Sequence, residues 1–246
     1  MNDDVNEAAL WERLSHASRR APLDPQWLGE VYSLSLSIDL RRAIAEKLGL
    51  QAERGWPSLA GLIREHGQQD DLILAAGLSH QPESRDWLLE CWHASNPTAE
   101  AERALLILQA LACWGGDLPR TLIEQVLALP GMQFRLAGLQ LLGFHAYRLK
   151  ASELIELCQP LLEDFREPIV LATIRLLQRR DDAEISERLA ELAKTGSDTI
   201  ATAALKALGC IATAESQRRL LELSQQLPED ERRQQACKQL QQQYRI

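Results

Sequence analysis

The chain has 246 residues, 46% apolar and 25% charged, with a net charge of −8. Residues 1–123 carry eleven Lys/Arg against eighteen Asp/Glu, and residues 124–246 carry sixteen against seventeen. An ordinary globular composition without a basic half argues against a general nucleic-acid binder, whose affinity comes from neutralising phosphates.

Glycine and proline are few, and Leu, Ala, Glu, Gln and Arg dominate. These are good helix formers, so the expected class is all-α. The five cysteines are odd in number and none forms a CxxC pair. They read as small buried thiols in a reducing, cytoplasmic setting. The acidic opening MNDDVNEAAL has no apolar signal core and no run approaches 18 apolar residues, so neither a secretion signal nor a membrane span is expected.

In chain order, Glu7–Ser18 has Leu10, Trp11 and Leu14 at helical spacing. Asp24-Pro25 is a helix start, with Asp as cap and Pro at the first helical position. Helix pairs then follow at Ile38–Leu50 and Trp56–Glu65, and at Asp70–Ser79 and Pro82–Ala94. The next pairs are Thr98–Trp114 with Leu118–Leu129, and Met132–Phe144 with Ala151–Leu162. Pro160 is expected to kink the last of these. Glu167–Gln178 pairs with Ala183–Lys194, with Asp181-Asp182 as cap. Thr195-Gly196-Ser197 ends one helix and starts another, and Ser197–Leu227 reads as two short helices back to back. A polar helix, Pro228–Tyr244, closes the chain.

A six-residue phrase recurs through these helices. Its copies begin at Ile44, Ala75, Ile107, Gly138, Thr173, Ala204 and Ala236, at intervals of 31, 32, 31, 35, 31 and 32 residues. The first position is small or β-branched, and the fifth is Leu in six copies, Ser79 being the exception. Positions one, two and five share one helical face. The sixth is Gly49, Gly143 or Gly209 in three copies, which suits a helix end or a close helix–helix approach. Arg41, Arg135 and Arg233 recur three residues before their phrases.

Leu40-Arg41…Leu48-Gly49, Phe134-Arg135…Leu142-Gly143 and Ala204–Gly209 resemble the HEAT repeat of the armadillo/HEAT-like superfamily. The resemblance covers about residues 38–246 and implies a right-handed α-solenoid of about seven HEAT-like helix pairs with capping helices. The expected organisation is a single domain over 1–246. Residues 1–37 form a divergent N-terminal cap, 38–227 the repeats, and 228–246 a C-terminal capping helix.

No chemical motif stands out. The chain lacks HExxH, a glycine-rich phosphate loop and G-x-S-x-G. Cys91 and His93 lie two apart, on opposite sides of a helix, and so do not pair on a metal. Asp70-Asp71, Glu163-Asp164 and Asp181-Asp182 fall at helix boundaries, where favourable charge at helix N-termini or solvation in loops explains them. No catalytic residue, no metal and no cofactor is expected.

The informative asymmetry is tryptophan. All six (Trp11, Trp27, Trp56, Trp87, Trp92 and Trp114) lie in the first 114 residues. They either fill gaps in the core or line a groove, and tryptophan is enriched at binding hot spots. Trp87, Leu88, Cys91 and Trp92 make a stripe that packs inward, with Arg85, Glu90 and His93 edging the surface beside it. The candidate partner surface is Trp56, Arg64, Arg85, Trp87, Glu90, Trp92, His93 and Trp114.

A non-catalytic protein-interaction or scaffold module therefore comes first. Its partner, a helix, an extended segment or a folded subunit, would lie on the concave B-helix face, with neither nucleic acid nor membrane involved. Size and repeat type are also similar to the cyanobacterial HEAT-like phycobilin lyases, and the Leu/Gln/Trp-rich, Lys-poor composition (5 Lys, 22 Arg) is compatible with them. That resemblance implies a bilin ligand and a phycobiliprotein partner. A Tyr/Trp-rich phrase expected in those lyases is replaced by Ala75-Ala76-Gly77-Leu78. Nucleic-acid binding, as in HEAT-like DNA-repair glycosylases, is a third alternative. Arg179-Arg180 and Arg218-Arg219 would supply its basic patch.

Overall fold

The computed structural model describes residues 7–16, 21–228 and 230–243. The opening residues 1–6, residues 17 and 18 of the first predicted helix, and Tyr244 lie outside that set. Among the described residues every regular element is helical. The α-helices are α1 Glu7–Ser15, α2 Pro25–Val31, α3 Ile38–Gly49, α4 Trp56–His66 and α5 Asp70–Ser79. They continue with α6 Pro82–Ala94, α7 Ala101–Trp114, α8 Arg120–Ala128, α9 Met132–His145 and α10 Ala151–Leu162. The last five are α11 Glu167–Leu177, α12 Ala183–Thr195, α13 Asp198–Ile211, α14 Ala214–Gln226 and α15 Glu231–Gln243.

The repeated phrase explains why these helices pack. Its first position is buried in all seven copies, and its fifth in every copy but Leu240, which is half-buried. At the exception, Ser79 is fully covered and its hydroxyl donates to the Ala76 carbonyl at 2.8 Å, so the buried polar group is satisfied. An i, i+1, i+4 stripe of Leu and Ala can only be covered by a neighbouring helix, and within each unit a packed helix supplies that cover.

The chain divides into two compact units, Met1–Leu118 and Pro119–Ile246. In the first, α1, α3, α5 and α7 pack side by side, with α2, α4 and α6 against them. Two glycines set the spacing. A Cβ on Gly49 would lie 2.4 Å from the Ala75 carbonyl oxygen, and one on Gly77 would lie 2.2 Å from that of Ala110. Bare glycine lets α5 touch both neighbours backbone to backbone.

In the second unit α9, α11, α13 and α15 pack in succession, with α10, α12 and α14 forming the other layer and α8 against α9. Arginines tie its loops together. The Asp164 side chain, 0% exposed, accepts from both Arg135 and Arg166. Arg166 Nη1 also donates to the Pro130 carbonyl at 2.7 Å. Arg232 bridges Asp198 at 2.7 Å and the Lys194 carbonyl at 3.2 Å. Arg103 plays the same part in the first unit, donating to Asp70 at 2.9 Å and to the Gln68 carbonyl.

Local signals are met at several places and corrected at others. Asp24 accepts from the Gln26 amide with Pro25 at the helix start, and Ser197 accepts from the Ile200 amide. Asp182 holds the cap position of α12 without capping it, because Arg180 takes its carboxylate at 2.9 Å. α10 runs through Pro160 to Leu162. So near the helix end, proline removes one donor, the one that would serve the Glu156 carbonyl. α9 continues past Gly143 to His145.

The buried-thiol expectation holds for Cys91 and Cys158 only, since Cys113 and Cys210 are exposed and Cys237 is half-buried. Burial pushes the Cys91 thiol up to about 11 and that of Cys158 to about 12, which leaves both unreactive at neutral pH. No described helix is long and apolar enough to cross a membrane.

Candidate functional site

The eight candidate residues stand on three helices of the first unit, and the structure draws only some of them together. On α6, Ser84, Leu88, Cys91 and Trp92 face the core while Glu83, Asp86, Glu90 and His93 face solvent. At 100° per residue, Arg85 and Trp87 fall on the two opposite flanks of the buried arc. Both are half-buried. Trp92 is only 6% exposed, so it belongs to the core and is removed from the candidate surface. Trp56 opens α4 half-buried, and exposed Arg64 donates back to the Ala60 carbonyl of its own helix at 3.3 Å. Among the described residues no hydrogen bond or ion pair joins Trp56 or Arg64 to the candidates on α6.

What does converge is Arg85 with Trp114. The guanidinium carbon lies 5.4 Å from the centroid of the indole ring, within reach of a cation–π contact. The loop between α5 and α6 fixes that ring. Trp114 Nε1 donates to the Gln81 carbonyl at 3.0 Å, and His80 Nδ1 donates to the Trp114 carbonyl at 3.0 Å. His80 holds φ 51°, a left-handed cap at the end of α5, and Gly115 holds φ 93° where α7 stops. Two exposed carboxylates flank the guanidinium, Asp86 at 2.8 Å and Asp117 at 3.6 Å. The result is a half-exposed indole, locked at both ends, with a cation over its face and acids at its rim.

Sequence reasoning placed Arg85 and Trp114 in the candidate set but could not pair them, because 29 residues separate them and the link is a loop carbonyl. It missed a second cluster altogether. Asp71, 7% exposed in the first turn of α5, accepts from the Tyr32 hydroxyl at 2.7 Å. Tyr32 in turn stands 5.4 Å from the His66 ring. Burial, then the bond to Asp71 and its charge, holds the Tyr32 phenol well above its usual range. The acidic pair Asp70-Asp71 had drawn notice only as helix-start charge.

Of the basic patch expected from Arg179-Arg180 and Arg218-Arg219, three arginines are already paired with carboxylates. Arg180 is committed to Asp182 and to the Ala146 and Leu149 carbonyls. Arg218 and Arg219 are held by Glu215 and Glu222, and Arg219 also by Glu187. Among the described residues no group of three or more His, Cys, Asp or Glu is placed to hold a metal.

No protein-family profile and no curated protein sequence matches the chain. Among solved structures, one similar chain comes from the complex of CpcE and CpcF of phycocyanin lyase from Nostoc. It is 16% identical, with 90% of this chain and 95% of that one covered, at a TM-score of 0.48. Another is human deoxyhypusine hydroxylase in complex with glycerol, 15% identical over 97% of this chain and 89% of that one, at a TM-score of 0.42. Likeness at that level leaves the function to be argued from the chain's own residues.

Proposed function

We propose that this chain is a non-catalytic protein-interaction module, with a partner protein docking where α6 meets the end of α7. The locked Arg85–Trp114 pair carries the proposal. Trp and Arg are the residues most enriched at binding hot spots. A ring already held by Gln81 and His80 has little side-chain entropy left to lose when a partner covers it. Asp86 and Asp117 give the patch an acidic rim that selects a partner with apolar and basic groups side by side. Trp87 and Glu90, on the far flank of α6, would extend the contact.

Affinity capture from the cells that produce the protein tests this, with wild type, Arg85→Ala and Trp114→Ala as parallel baits. A partner recovered by wild type should bind each variant about thirtyfold more weakly, the cost of a 2 kcal/mol hot spot. Retention of that partner by both variants would reject the site. The phycobilin alternative predicts visible absorbance when the chain is mixed with a bilin and an apo-phycobiliprotein. Pigment transfer in that assay, with no partner captured, would replace the interaction reading.

A further inference from the structure

The third position of the repeated phrase points to a second surface, in the other unit and independent of the α6–α7 patch. On three successive helices of one layer, α11, α13 and α15, that position is Arg175, Lys206 and Lys238. All three are exposed, and none has an ion-pair partner among the described residues. The spacings of 31 and 32 residues are those of the repeat, so the cations recur helix by helix at about the 8–10 Å of packed helices.

Two of them converge on a groove. Arg175 and Lys206 line a groove of about 560 Å³ between α11 and α13, within the size range of ligand sites. Its floor is Leu171, Ile174 and Ala203, and its walls add Thr199 and Thr202, whose hydroxyls have no partner among the described residues. Hydroxyl donors, two cations and an apolar floor suit a carboxylate carried on an apolar backbone. The other end of the groove is acidic, with Asp198 at the start of α13 and Glu231 at the start of α15. Asp198 is held by Arg232, whereas Glu231 is free to repel. A uniform polyanion such as a nucleic-acid strand would lay phosphates against that acidic end, and three cations fall short of the six to ten phosphate contacts typical of such binders.

We infer that the α11–α13 groove is a docking site for an acidic peptide segment of a partner protein. An Asp or Glu side chain of that segment meets Arg175 and Lys206, an apolar neighbour lies on Leu171 and Ala203, and Lys238 extends the attraction onto α15.

Fluorescence anisotropy on the full chain tests this with a fluorescein-labelled Glu/Val peptide whose glutamates are confined to one end. A Gln/Val peptide and a duplex oligonucleotide serve as comparison probes. The Glu/Val peptide should bind saturably, more weakly as salt rises, and at least about tenfold more tightly than the Gln/Val peptide. The double variant Arg175→Gln with Lys206→Gln should lose about tenfold in affinity while keeping its far-UV circular dichroism. Gln125→Glu with Gln225→Glu, which adds the same charge at exposed positions of α8 and α14 away from the groove, should lose less than about twofold. No binding of the Glu/Val peptide, or equal binding by both double variants, would overturn the assignment. Tighter binding of the oligonucleotide, lost in the Arg175/Lys206 variant, would overturn it in favour of a nucleic-acid surface.

Discussion

The third position of the phrase has opposite consequences on α5 of the first unit and on α11 and α13 of the second. On α5 it is Gly77, where α3 and α7 carry exposed Glu46 and Gln109, and α5 closes onto α7 until a Cβ would sit 2.2 Å from the Ala110 carbonyl. In the second it is Arg175 on α11 and Lys206 on α13, and the helices leave a groove between them that these cations line. One register position therefore seals a helix layer or equips it, depending on whether a side chain is there. The comparison separates packing from function within a single repeat: positions one, two and five bury the helix, and position three decides what its flank can offer.

The sharpest way to break that contrast is to put a side chain where the first unit has none. Gly77→Ala should destabilise by about 3 kcal/mol, because overpacking against a backbone carbonyl cannot be relieved by rotating a side chain and outweighs the better helix propensity of alanine. Urea denaturation followed by circular dichroism measures the loss. A variant as stable as wild type would mean that α5 and α7 are not in backbone contact.

The next largest effect is expected in the second unit, at Asp164. The side-chain and backbone donors of Arg166, then Arg135, hold this carboxyl well below the usual carboxylate range. Asp164→Asn should cost about 2 kcal/mol at neutral pH, the worth of hydrogen bonds to a charged group. The sign of the pH dependence follows from the direction of the shift. A depressed folded value stabilises fully above the unfolded value of about 4, and the stabilisation fades as pH falls towards the folded one. The stability gap between wild type and variant should therefore shrink below about pH 4. A gap constant from neutral to acid pH would show that the charge of Asp164 contributes nothing.

These two positions also mark the limit of what was legible in the sequence. The buried face was readable because 3.6-residue periodicity is local: first-position Ile44, Ala75, Ile107, Gly138, Thr173, Ala204 and Ala236 are all buried. Helix bounds at Asp70–Ser79, Pro82–Ala94 and Ala151–Leu162 were readable from caps and prolines for the same reason. The closure at Gly77 was not, since it depends on a carbonyl 33 residues away in α7. Nor was the competition in which Arg180 draws Asp182 away from its cap, because two local roles for one carboxylate look alike until the loop is built. The candidate set was legible as residue types and not as an arrangement. Tryptophan asymmetry singled out the first unit, but Trp92 is core, and only the fold sets Arg85 against Trp114.

A buried carboxylate is served differently in the first unit, and a smaller effect follows. Asp71 accepts a hydroxyl from Tyr32, where Asp164 accepts from two guanidinium groups. Tyr32→Phe removes that donor and should cost about 1.5 kcal/mol. Here the shift has the other sign. Because the folded phenol sits above its unfolded value of about 10, its contribution is complete below that pH and is lost as pH rises through the alkaline range. Wild type and Tyr32→Phe should converge above about pH 10 in a urea titration. A gap that widens instead would mean that the phenol ionises more easily folded than unfolded.

The smallest expected effect is a gain, and it tests whether the contrast between units extends to the sixth position. Gly49 and Gly143 end the same Leu-Gly phrase, and by sequence they are equivalent. A Cβ at Gly49 would lie 2.4 Å from the Ala75 carbonyl oxygen, but one at Gly143 would meet nothing nearer than the Arg179 guanidinium at 3.5 Å and Leu176 at 3.6 Å. Those are ordinary contacts, and Gly143 lies inside α9, where alanine forms helix better than glycine. Gly143→Ala should therefore stabilise by about 0.5 kcal/mol, partly by restricting the unfolded chain. Gly49→Ala, the same change at the same repeat position, should destabilise. Opposite signs in parallel urea titrations would establish that the sixth-position glycine closes the helix layer at α3 and not at α9. Equal losses would mean that α9 and α11 approach as closely as α3 and α5, and the two units would then differ in their side chains alone.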